Sequence, residues 1–158
     1  MPNRSVHQIA GALAGGGSAW LGSRGAPNAD VFLELIGGAI GGWAGGVLPD
    51  LLDPPDSPNH RSVAHGLAAA AVLASVPWRD RGQHWRDEAA RHRALAIDPQ
   101  RANERTRHEV AAIILGLRAG AVVGLPCGFG SHLALDGVTP RSLPLVGLDY
   151  RHLLKPAA

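Results

Sequence analysis

Several things that small folds usually rely on are scarce in this chain. Its one cysteine, Cys127, excludes an intramolecular disulfide and leaves the redox compartment open. Aromatic residues are only 4% of 158 residues, so few large side chains are on hand to fill a water-soluble core. A dominant charge is missing as well. The net charge is +2 with histidines neutral, and no overall field calls for nucleic acid as a partner. Met1-Pro-Asn-Arg4 begins no persuasive signal peptide, because glycine-rich sequence runs past the first apolar stretch without a clear cleavage site. No internal repeat stands out, and the length suits a single domain, 1–158.

What the chain has instead is glycine, alanine and other small or apolar residues, with apolar types making up 46%. Small side chains let helices approach closely, a habit of helices in lipid. Four apolar segments read as helices. Val6 to Leu21 carries His7 in its first turn, with Ser5 as an N-cap. Val31 to Leu48 is the most apolar, and Gly37, Gly41 and Gly45 recur in it every four residues, a ridge that suits close helix contact. At roughly 1.5 Å per residue it would span about 27 Å, just short of a hydrocarbon core, before Pro49 stops it. Ser62 to Val76 is the third helix and Val110 to Phe129 the fourth, flowing on to Asp136.

Between the third and fourth segments the composition changes sharply. Arg79 to Glu109 holds eight arginines among interleaved acids, with Pro99 dividing it. It is expected to form one or two exposed polar helices, and His84, His92 and His108 to be surface histidines. The fold expected is therefore all-α: an up-and-down bundle of four apolar helices, membrane-embedded, with a charged insertion at 79–109. The tail, Ser142 to Ala158, is expected along the bundle surface. Glycine- and alanine-rich helices also suit a compact soluble bundle or a homo-oligomer.

The stretch Leu48 to Gly66 crowds Asp50, Asp53, Asp56, His60 and His65 into a proline-broken connection. Carboxylates with imidazoles are the donor set for zinc, manganese, iron or nickel, and a plain helix connection needs no such set. His132 and Asp136 are four apart, so on a helix they share one face. In an alternating bundle, His7 starts the first helix, Asp50 follows the second, His60 and His65 flank the start of the third, and His132 and Asp136 close the fourth. All four places fall at the same end, opposite the arginine-rich insertion. His7, Asp50, His60, His65, His132 and Asp136 are thus candidate ligands for a divalent transition metal. They could surround one ion, or two ions about 4 Å apart as in many phosphoesterases. Asp53 and Asp56 are candidate general bases or bridging carboxylates. Arg61 is placed to meet an anionic substrate or to pair with a loop aspartate.

Taken in order, the N-terminal histidine, Leu-Pro-Asp-Leu-Leu-Asp, Ser-Pro-Asn-His-Arg-Ser-Val-Ala-His and Gly-Ser-His-Leu-Ala-Leu-Asp-Gly-Val-Thr-Pro-Arg resemble the bacterial membrane-bound metal-dependent hydrolases. Some of that family are described as LexA-regulated inner-membrane proteins. The resemblance covers most of the chain outside 79–109. It implies a helical inner-membrane protein with a metal site drawn from His7, Asp50, Asp53, His60, Arg61, His65, His132 and Asp136. Where the family usually has Thr-His-Ser, this chain has Ala64-His65-Gly66, which removes two hydroxyls beside the histidine.

The expected function is a metal-dependent hydrolase, with zinc or manganese activating water against a phosphoester or lipid-like substrate and with membrane lipids as surroundings. The alternative is a non-catalytic membrane or interaction protein in which the metal only fixes the loop. Metal transport fits less well, because only Arg118 and Glu34 lie deeper in the apolar segments.

Overall fold

A computed structural model of the chain describes residues 4–52 and 64–138. All regular structure among them is helical: α1 (Arg4–Gly22), α2 (Asn28–Leu52), α3 (Leu67–Ser75), α4 (Trp78–Ala96), a 3₁₀ segment (Pro99–Glu104) and α5 (Arg105–Gly137). Ser5 lies inside α1 rather than capping it. The connection from α1 to α2 turns at Gly25, whose φ of 93° suits a residue without Cβ. The 3₁₀ segment opens where the Asp98 side chain accepts a hydrogen bond from the Gln100 N–H, with Pro99 at the position that needs no donor.

Glycine decides how α1, α2 and α5 meet. The stretch Gly37 to Gly46 carries two ridges on α2. Gly41 lies against the backbone of Ala121 on α5, and Gly42 against that of Gly11 on α1. A Cβ at Gly41 or at Gly124 would fall on a neighbouring carbonyl, Ala121 O or Gly38 O, so the helix backbones themselves are in contact. Successive contacts fix direction. Gly46, Gly42 and Gly38 meet His7, Gly11 and Gly15, so α1 and α2 are antiparallel; Gly37, Gly41 and Gly45 meet Leu117, Ala121 and Leu125, so α2 and α5 are parallel. The glycine ridge was legible in the sequence; its two-sided use was not.

One expectation about a helix end is corrected. Pro49 does not stop α2, which continues to Leu52 with Pro49 fully buried inside it. A proline removes one N–H, here the donor to the Gly45 carbonyl, and its burial offsets that loss. The extra turn carries Asp50 on the helix. Likewise Pro126 lies inside α5, which is 33 residues long and continuous from Arg105 to Gly137.

The charged insertion is also corrected. Its first half, α4, packs on α5 through Gly82, Ala89 and Ala96, buried at seven-residue spacing. From the same helix Arg86 Nε–H donates to both carboxylate oxygens of Glu34, at 2.9 and 2.8 Å, and Arg93 pairs with Asp30. One face of a helix read as solvated is therefore buried, because small residues open a path for α5 and arginines reach acids on α2. By contrast α3 is only 9 residues long and touches little but α5, so the closely packed helices are α1, α2, α4 and α5 rather than the four apolar segments. The tail from Ser142 lies outside the described residues.

Candidate metal centre

Four segments converge at one end of the packed helices. His7 sits in the first turn of α1, Asp50 in the last turn of α2, His65 in the turn before α3, and His132 and Asp136 near the end of α5. They meet because α1 runs antiparallel to α2 and α5, and because α2 and α5 are in register where Gly45 abuts Leu125. His7, His65, His132 and Asp136 are all buried, while the Asp50 side chain is 25% exposed. Asp50 therefore marks the open side of the cluster.

The orientation of His132 is set by the backbone. Its Nδ1–H donates to the Gly46 carbonyl at 2.7 Å, so in the neutral ring Nε2 carries the lone pair. That Nε2 points at His65 Nε2, 3.1 Å away. His65 Nε2 is 3.3 Å from Asp50 Oδ1 and 3.7 Å from Asp136 Oδ2. His132 Nε2 is 3.5 Å from each of the same two oxygens. The second oxygen of Asp136, Oδ1, lies 3.6 Å from His7 Nε2, and the His7 ring stacks on that of His132 at 3.8 Å.

These separations match a metal site better than a hydrogen-bonded cluster. Most of them exceed the ~2.7–3.2 Å of a direct hydrogen bond. Donors placed about 2.0–2.2 Å from a tetrahedral ion stand roughly 3.3–3.6 Å from one another, and the three donor atoms of Asp50, His65 and His132 lie 3.1 to 3.5 Å apart. Charge points the same way. With the imidazoles neutral, Asp50 and Asp136 bring two negative charges into a largely buried place, and such charges need pairing or a metal. One divalent cation balances them. Two overlapping donor groups can hold an ion, Asp50–His65–His132 and His7–His132–Asp136. They share His132, and Asp136 turns one oxygen to each side.

Of the six candidate ligands, five are thus brought together. His60, and with it Asp53, Asp56 and Arg61, lies outside the described residues. Two other polar groups that sequence reading placed differently have structural roles. Glu34 is held by Arg86, and Arg118 is exposed, its guanidinium over the Trp85 ring at 3.8 Å. Neither lines a path through the helices. His108, expected at the surface, is buried, with its Nδ1 2.9 Å from His92 Nδ1 across the α4–α5 hairpin. The signal for that pair was present in the sequence only as two histidines on either side of Pro99.

Comparison of the chain with family models, with curated proteins and with solved structures returns no match.

Proposed function

We propose that this chain is a membrane-embedded, metal-dependent hydrolase of the kind its motifs resemble, with zinc or manganese held by Asp50, His65, His132 and Asp136. The set of donor separations of tetrahedral-edge length among Asp50, His65 and His132 is the observation that carries the proposal. When bound, such a metal supplies Lewis acidity and lowers the pKa of water. The residues supply the rest. The Gly46 carbonyl holds His132 in the tautomer whose Nε2 faces the cluster. Asp136, between His7 and the other two histidines, orients both sides. Asp50, on the accessible side, is where substrate enters. Asp53 or Asp56 is the proposed proton acceptor and Arg61 the proposed partner of an anionic group, which suits a phosphoester or lipid-like substrate.

Placement in the inner membrane is part of the same proposal. The helix segments Asn28–Leu52 and Pro99–Gly137 each contain a stretch long and apolar enough to cross a bilayer, yet only 44% and 28% of those stretches are buried within the protein. A core helix of a water-soluble protein hides its apolar surface, whereas here Ile9 and Leu13 of α1 and Ile40 and Trp43 of α2 face outward while glycine faces inward. Lipid is the natural cover. In that setting α2 and the C-terminal part of α5 cross the bilayer with α1 packed between them and the lipid, while α3, 9 residues long, is too short to span it.

A structural metal is the second reading. It is favoured by four donors coming wholly from the protein, since closed sites are typical of structural zinc. Chelator-free purification with metal analysis, followed by esterase and phosphodiesterase panels, tests both. Metal near one or two ions per chain with hydrolysis that chelator abolishes supports the enzyme. Bound metal whose removal lowers the melting temperature, with no activity on any substrate, supports the structural role. Essentially no transition metal sinks both.

A further inference from the structure

A second polar feature lies far from the metal cluster. A cavity of about 480 Å³ opens between α4 and α5, bounded by Trp78, Arg81, Trp85 and Arg118, with Asp80 also lining it. Both guanidinium groups lie over indole faces, Arg118 on Trp85 at 3.8 Å and Arg81 on Trp78 at 5.9 Å. Among the described residues neither arginine forms a salt bridge, whereas Arg86, Arg91, Arg93, Arg101 and Arg105 all do. The Trp78 ring is fixed by its Nε1–H, which donates to the Leu73 carbonyl at 2.6 Å. Two guanidinium groups against one carboxylate give the cavity an excess of one positive charge, with the His84 imidazole also in its lining.

The level of this cavity matters as much as its chemistry. Leu117 touches Gly37 on α2, and Ala19 on α1 touches Gly38, so Trp20, Gly37, Arg118 and Trp85 stand at one height. Trp20 carries a third stacked arginine, Arg24, at 4.4 Å. From this height to the ends at Arg4, Leu52 and Gly137 the helices run roughly 22–28 Å at ~1.5 Å per residue, near the ~30 Å of a hydrocarbon core. Over that length the only Asp, Glu, Lys or Arg of α1, α2 and α5 are Arg4, Asp50 and Asp136, all at the far end. Beyond this height, in the other direction, come Glu34, Asp30 and α4 from Arg86 onward, whereas the first turn of α4, with Asp80 and Arg81, lies beside Val122 and Val123, about one helical turn to the apolar side. Tryptophan and arginine together at such a boundary are the residues of a membrane–water interface.

We propose that the cavity bounded by Trp78, Arg81, Trp85 and Arg118 binds the phosphate of an anionic phospholipid headgroup, at the face of the bilayer opposite the metal cluster. The proposal rests on the membrane reading above. The single net positive charge suits a phosphodiester, which carries one negative charge; guanidinium donors match its oxygens, and the indole faces hold those donors in place.

The test uses the full chain in neutral detergent, needs neither metal nor turnover, and measures retention of phosphatidylglycerol against phosphatidylcholine by native mass spectrometry. Phosphatidylglycerol should bind about tenfold or more tightly, with R81Q/R118Q losing most of that preference, an effect of the size of one or two charge-assisted contacts. The control R91Q/R107Q removes the same charge elsewhere and should keep it. Equal loss in the control, or no preference in the parent, overturns the proposal. Displacement of the lipid by millimolar glycerol phosphate overturns the lipid source in favour of a soluble phosphate. Should the double variant lose its helical circular dichroism, R81Q and R118Q singly carry the test, each reducing the preference by roughly threefold. A chain that remains in the carbonate-soluble fraction would refute the membrane reading first, which separates that failure from this one.

Discussion

Replacing His132 with alanine is the sharpest probe of the metal centre, because its Nε2 is a donor common to both candidate groups and lies within 3.5 Å of His65, Asp50 and Asp136. With free zinc buffered at 100 times the dissociation constant, a bound ion stabilises the folded chain by about 2.7 kcal/mol. For a chain of this size each kcal/mol raises the melting temperature by roughly 2–4 °C, so chelator and buffered zinc should differ by about 5–11 °C in the parent protein. Loss of a direct donor weakens affinity by at least ~100-fold, the upper end of what loss of a mere supporting group costs. At the same free zinc the variant then gains only about 0.4 kcal/mol, a shift near 1–2 °C. Differential scanning fluorimetry in chelator and in buffered zinc reads both values, and His92→Ala serves as a control that removes a histidine far from the cluster. A parent protein whose melting temperature ignores zinc, or a variant that keeps the full shift, would refute the site.

Three further outcomes follow from the same geometry. Metal binding needs His65 and His132 deprotonated, so zinc affinity should fall as pH is lowered, by up to ~100-fold per unit once both rings are protonated; an isothermal titration series that is flat from pH 5.5 to 7.5 would contradict it. Gly124→Leu should abolish folded protein in a thermal or size-exclusion assay, since any Cβ there falls on the Gly38 carbonyl, whereas Gly17→Ala meets nothing within 4 Å and should stabilise by up to about 1 kcal/mol. Glu34→Ala strands Arg86 and should cost about 3–5 kcal/mol, while Glu88→Ala, which breaks an exposed pair with Arg91, should cost less than ~1 kcal/mol; equal melting temperatures for the two would show that the Arg86 pair is not buried in solution.

The two faces of α4 illustrate how far a pattern can mislead. Its interleaved arginines and acids are what a solvated helix displays, and most of them are indeed exposed. The three small residues at 82, 89 and 96 are the contrary signal. They say where another helix can approach, but only once the side chain that fills the notch, here Val123 of α5 against Gly82, is known. His92 and His108 form a pair for the same reason: the hairpin through Pro99–Glu104 folds one onto the other.

What could be read directly from the order of residues was local: helical segments, a glycine ridge every four residues on α2, a His-x-x-x-Asp pair on one helix face, and a loop dense in donors. Those follow from the helical period and from the chemistry of single side chains. The rest required three dimensions. Pro49 proved to lie within a helix because its burial offsets a lost hydrogen bond, and α2 meets α1 and α5 on two adjacent glycine ridges because only backbones that touch leave no room for Cβ. The distances among His7, Asp50, His65, His132 and Asp136 exist because packing directions, antiparallel for α1 and α2 and parallel for α2 and α5, bring positions more than eighty residues apart to a common end.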